Sequence, residues 1–145
     1  MTELEALDVL MVLRAGLPSA YLKLTEADTA AMVALWAEMF SDYPGELVAA
    51  AAKTYIWNTR ERTFPTPGAI RDVIDDIQRV TTQCAYGSTL REYLGASADK
   101  FPAPVREYID RTARATYEQR TGMIFTSQAE KLAARRAILA GGDGA

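Results

Sequence analysis

The chain has 145 residues, 49% of them hydrophobic, with one cysteine, no histidine, and 16 basic against 19 acidic side chains for a net charge of −3. Without histidine, Ser-His-Asp and Cys-His nucleophile systems and histidine-ligated metals are excluded. A lone cysteine excludes an internal disulfide and points to a reducing compartment, the cytoplasm by default.

An isoelectric point near 5.0 is the wrong sign for a chain that coats nucleic acid over its whole surface. At this length a compact fold buries about 68–70% of its unfolded surface, enough for a core without staples. The alanine-rich texture and the lack of period-two alternation predict an all-α fold. Thr54-Tyr55-Ile56-Trp57 comes nearest to a strand, but it continues a helical stripe that starts at Leu47. The acidic opening Met1-Thr2-Glu3-Leu4-Glu5 lacks the chemistry of a signal peptide. The longest apolar run, from Leu47 to Ala52, is too short to span a bilayer, so neither export nor membrane insertion is expected.

Taken in order, Thr2 to Glu5 reads as a capping box opening a helix whose apolar side is expected to be Leu4, Leu7, Leu10 and Met11. Gly16-Leu17-Pro18 ends it, and an extended linker is expected through Tyr21 and Leu24. Thr25 to Asp28 caps the second helix, expected to turn Met32, Leu35, Trp36, Met39 and Phe40 inward. Asp42-Tyr43-Pro44-Gly45 is a corner that starts the third helix with proline in its first turn, and Leu47, Val48, Ala51 and Tyr55 form the stripe. Phe64-Pro65-Thr66-Pro67 is a second corner, in which Thr66 caps, Pro67 takes the first helical position and Phe64 folds back as a staple.

The fourth helix carries Ile70, Val73, Ile74 and Ile77 towards Val80, weakens at Thr81-Thr82-Gln83 and breaks at Gly87-Ser88. A short helix is expected between Ser88 and Leu94, then a boundary at Gly95 to Lys100. Pro102 and Pro104 start the next helix, with Val105, Tyr108, Ile109, Ala113 and Tyr117 on its stripe, and Gly122 ends it. Thr126-Ser127 caps a last helix through Leu139. The expected fold is therefore an all-α, small multi-helix bundle of about four core helices, with an N-terminal helical domain over 1–94. An additional C-terminal helical segment covers 99–140, and a flexible tail covers 141–145. Truncation at Ala98 is expected to leave the first part folded.

Asp72, Asp75 and Asp76 share a helix face with Arg71 and Arg79 beside them, which reads as a solvated charged face more readily than as a site for a divalent ion. Cys84 reads as a buried thiol. No catalytic residue, metal site or cofactor is expected. Trp57, with Arg60 and Arg62, either belongs to the core or forms an exposed contact patch. Residues 1–97 hold 8 basic and 13 acidic side chains, whereas 98–145 hold 8 basic and 6 acidic. Along the last two helices Tyr108, Arg111, Arg114, Tyr117, Arg120, Phe125, Lys131, Leu132, Arg135 and Arg136 make a basic flank interleaved with aromatics. It is either a solubilising face or a partner-binding surface for an acidic protein or single-stranded nucleic acid.

Trp36, the Asp42-Tyr43-Pro44 corner, Ala51, Tyr55, the Phe64-Pro65-Thr66 corner and Ile70 occur in an order that resembles the phage replicative-helicase loader and inhibitor family. Ala20-Tyr21 and Leu24-Thr25-Glu26 resemble that family's approach to its second helix. Roughly the first half of the chain is covered. The resemblance implies a helical N-terminal domain and a C-terminal segment that engages a hexameric DnaB-type replicative helicase. Such a protein holds the helicase inactive and delivers it to an origin-binding replication organiser. The expected function is thus a non-enzymatic, cytoplasmic phage or prophage replication protein that inhibits and helps load a helicase. The alternative is a nucleic-acid-binding accessory protein using the basic C-terminal helices.

Overall fold

The computed structural model describes residues 1–21, 24–60, 63–85 and 90–121. Among them the chain forms seven α-helices, one 3-10 helix and no strand. They divide into two compact units, one of residues 1–76 with 100–105 and one of residues 77–99 with those described from 106 onward. No helix among the described residues is long and apolar enough to cross a membrane.

The first unit contains α1 (Glu3–Gly16), the single turn α2 (Pro18–Tyr21), α3 (Glu26–Met39), α4 (Gly45–Asn58) and the first half of α5 (Pro67–Cys84). Local chemistry sets the helix starts. Thr2 Oγ1 accepts from the Glu5 N–H at 3.2 Å while the Thr2 N–H donates to the Glu5 carboxylate at 3.0 Å. Thr25 and Asp28 repeat the reciprocal box on α3, at 3.1 and 3.0 Å. The Thr25 backbone N–H, and then its hydroxyl, hold the Asp28 carboxyl below the ordinary carboxylate range. Thr66 caps α5 by accepting from the Ala69 N–H at 3.2 Å, with Pro67 first in the helix.

Two joints differ from expectation. Pro44 is the cap residue of α4 and Gly45 opens the helix; the Glu5 carboxylate lies 2.8 Å from where a Cβ on Gly45 would stand. The stretch expected to be extended around Tyr21 is the helical turn α2, which Pro18 starts with its φ already suited to a helix. Tyr21 ties that turn back to α1 by donating its hydroxyl to the Leu10 carbonyl at 3.1 Å, and burial pushes the phenol well above its ordinary pKa.

α1 packs against α3 and α4. It does so with Ala6, Val9, Leu10 and Leu13, whereas Leu4, Leu7 and Met11, expected to face inward, are exposed. The helix is apolar around most of its circumference, so periodicity allows either stripe. The α4 partner buries Ala50, Ala51 and Ala52, and the inward side of α1 carries Ala6 and Val9 beside its two leucines, a combination that suits close packing on an alanine surface. Gly16 marks the tightest point. A Cβ there would stand 2.5 Å from Ile56 Cδ1 and within 2.9 Å of Cγ1 and Cγ2. Because Ile56 is β-branched and stiff at χ1, Gly16→Ala is expected to destabilise the fold by about 1–2 kcal/mol through overpacking. Adding Ile56→Ala should remove that extra penalty. Urea titrations of the single and double variants test this, and a G16A chain as stable as the parent would mean the two helices are not so close.

On α3 only Trp36 is buried, with Phe40 at the C-cap; Leu35 and Met39 are exposed, contrary to expectation. At about 100° per residue both sit on the same side of Trp36, rotated out of its inward direction. The aromatic rings form a chain through this core. Tyr21 meets Phe64 edge-on at 5.0 Å, Phe64 meets Trp36 at 5.7 Å, Trp36 meets Phe40 at 5.4 Å, and Phe40 meets Tyr43 at 6.1 Å. Phe64 thus reaches beyond its own helix, joining the second corner to α3.

The expected boundary between 94 and 99 is not where the chain divides. Residues 100–105 return to the first unit, where Phe101 is buried, the Lys100 carbonyl accepts from Asn58 Nδ2 at 2.8 Å, and Lys100 Nζ pairs with Asp76 at 3.0 Å. A chain ending at 98 therefore loses part of the first unit's core and, contrary to expectation, does not keep that unit whole.

The second unit takes the second half of α5, α6 (Leu90–Leu94), most of the 3-10 helix (Gly95–Lys100) and α7 (Ala103–Thr121) from residue 106. It buries Ile77, Val80, Cys84, Leu90, Ala98, Ile109, Ala113 and Tyr117. Gly95, at φ +59°, supplies the left-handed turn that ends α6. Asp110 accepts from the Leu90 N–H at 3.3 Å, and Asp99 pairs with Arg91 at 3.0 Å and Arg106 at 3.5 Å.

Candidate functional site

Among the described residues no group of acidic or cysteine side chains is arranged to hold a metal ion. Asp76 of the three helix aspartates is engaged by Lys100 at 3.0 Å. Cys84 is buried.

The expected partner-binding face on α7 falls apart into different environments. Tyr117 is 1% exposed and belongs to the core of the second unit, so its ring is not on a docking surface. The reason is the stripe itself: Ile109, Ala113 and Tyr117 repeat every four residues, and a ring in line with two buried neighbours goes in with them. Tyr108 is half-buried with the Arg111 guanidinium over its ring at 5.8 Å. Arg114 is exposed and pairs with Glu118 at 3.4 Å. Arg120 lies on the last turn of α7, and its side chain is outside the described residues. Phe125, Lys131, Leu132, Arg135 and Arg136, with the helix expected to end at Leu139, also lie outside the described residues. Over Ala103–Thr121 the sequence carries four arginines against three carboxylates, so this face is nearly balanced and not a bare positive stripe of the kind that attracts phosphate.

The first unit presents the larger apolar surface. Leu4 is 71% exposed and Met11 55%, with Leu7 between them, one line running two turns along α1. Of this line Leu7 enters an open groove of about 610 Å³ between α1 and α3, whose lining also includes Ala30, Val33, Tyr21 and Leu24 and whose charges are Glu3, Arg14 and Glu26. Leu35 and Met39 form a second exposed ridge on α3. Trp57, for which core and surface were both open, is on the surface at 62%. A smaller cleft of about 260 Å³ lies beside Tyr55, Val73 and Phe101, with the Lys100 and Asp76 side chains in its wall.

The sequence carried a signal for the α1 face that a single-stripe reading passes over. A helix with Leu4, Ala6, Leu7, Val9, Leu10, Met11, Val12 and Leu13 holds more apolar residues than one contact face needs, and the surplus must meet something else or stay in water. Comparisons of the chain with protein-family models, with curated proteins and with solved structures find no match.

Proposed function

We propose that this chain is a non-enzymatic binding protein that acts on a larger protein by contact, and that the partner is a hexameric replicative helicase of the DnaB type. The observation that carries the binding half is the row Leu4, Leu7 and Met11, exposed on a helix capped by the Thr2–Glu5 box and packed on its other face against α3 and α4. A contiguous row of large apolar side chains left in water is the kind of patch that marks a protein interaction site. The helicase half rests on the resemblance. The residues that carry it, Trp36 and the Phe64 corner, meet at 5.7 Å in the core of the same unit, which supports their use as one structural signature. In this reading the protein restrains the motor by occupying a surface it needs for movement.

Adding the protein to a purified DnaB-type helicase is expected to lower its ATPase and strand-separation rates in a saturable way. Unchanged rates at saturating protein would dismiss the helicase as the partner.

A further inference from the structure

We infer that the groove between α1 and α3 receives a cationic amphipathic helix from its partner. This rests on the reading of the chain as a binding protein and adds the chemistry of the element bound. On the α1 side the groove is lined by Leu7, one member of the exposed line Leu4, Leu7 and Met11; on the α3 side stand Ala30 and Val33, and Tyr21 and Leu24 also contribute to its lining. A ridge beside a low wall matches a helix that lays one line of large residues into the channel, at the i, i+3, i+4, i+7 spacing that Leu4, Leu7 and Met11 themselves follow.

Charge selects the occupant. Helices α1 and α3 together carry six carboxylates, Glu3, Glu5, Asp8, Glu26, Asp28 and Glu38, against Arg14 alone, and all seven are exposed. The first unit as a whole holds 12 acidic and 7 basic residues. A second copy of this chain would bring the same acidic helices to the same place, and like charges across an interface oppose association. A helix with lysines or arginines flanking its apolar line matches both the greasy floor and the acidic rim. Glu3 and Glu26 border the groove itself, with Arg14 beside them, so its own lining is acidic by one charge and the carboxylates of the flanking helices add to it.

The test uses the full chain and two labelled synthetic helices of about five turns, one with leucine at i, i+3, i+4, i+7 and lysine elsewhere, the other with glutamate in place of lysine. Fluorescence anisotropy is expected to show binding of the lysine peptide and at least about tenfold weaker binding of the glutamate peptide. Leu7→Ser is expected to weaken the lysine peptide about tenfold or more while leaving helicity unchanged, since Leu7 lines the groove and its side chain is already partly in water. Glu3→Lys with Glu26→Lys is expected to reverse the preference between the two peptides. Equal binding of both peptides, or full binding to the serine variant, would overturn the inference. So would a concentration-dependent dimer that the serine variant dissolves, because the occupant would then be a second copy. A helicase that fails to respond leaves the peptide result standing, and peptides that fail leave the helicase assay to be decided through other surfaces.

Discussion

Trp36→Ala is expected to be the most damaging single change in the first unit, at about 3–5 kcal/mol. The indole is 2% exposed and touches Phe40 and Phe64 edge-on or tilted at 5.4 and 5.7 Å. Removing it opens a cavity and takes away the link through which the second corner is held to α3. Nothing nearby is free to fill the space, because Phe64 is also committed to Tyr21 and Phe40 to Tyr43. In a chain of this size each kcal/mol lowers the melting temperature by roughly 2–4 °C, so a shift on the order of 10 °C is expected. Trp57→Ala supplies the contrast: with 62% of its surface in water, its loss is expected to change stability by about 0.5 kcal/mol or less. Fluorescence separates the two rings without perturbing the core. A Trp57→Phe chain should emit with the blue-shifted spectrum of a buried indole and resist quenching by iodide. A Trp36→Ala chain melting within about 1 kcal/mol of the parent would show that this core is misplaced.

In the second unit the corresponding change is Tyr117→Ala, also expected to cost about 3–5 kcal/mol, while Arg114→Ala, three residues earlier on the same helix, is expected to cost about 0.5 kcal/mol or less. The sequence places both residues in one arginine-aromatic flank, and they are helical neighbours at i, i+3, yet one is buried and the other is in water. Tyr117 is 1% exposed; Arg114 stands in water and shares its charge with Glu118 at 3.4 Å. Guanidinium denaturation of the two variants distinguishes a buried ring from a docking side chain. Equal, small effects would return Tyr117 to the surface and restore the unbroken flank.

These two tyrosine and tryptophan positions also show how far residue order alone reaches. Helix starts were legible because the groups that make them are neighbours in sequence: Thr2 with Glu5, Thr25 with Asp28, Thr66 with Ala69. So was the long stripe of α5, where Ile70, Ile74 and Ile77 stand apart from a polar remainder and only one direction can face a core.

Where apolar residues ring the helix, as on α1 and α3, the same rule gives several answers. The choice fell to packing partners brought from elsewhere in the chain: with α3 and α4 packed against α1, Ala6 and Leu13 are buried while Leu4 and Met11 are left in water. The division of the chain was decided in the same way. Gly95 to Lys100 has the composition of a linker, yet Phe101 just beyond it is a core residue of the unit that begins at Met1. By itself the sequence determined the all-helical class and the threonine caps of α1, α3 and α5, because those depend on bonds spanning three or four residues. Only the tertiary structure decided which apolar faces are spent on the core and which remain outside, because that depends on which surfaces far apart in the chain fit closely enough to exclude water.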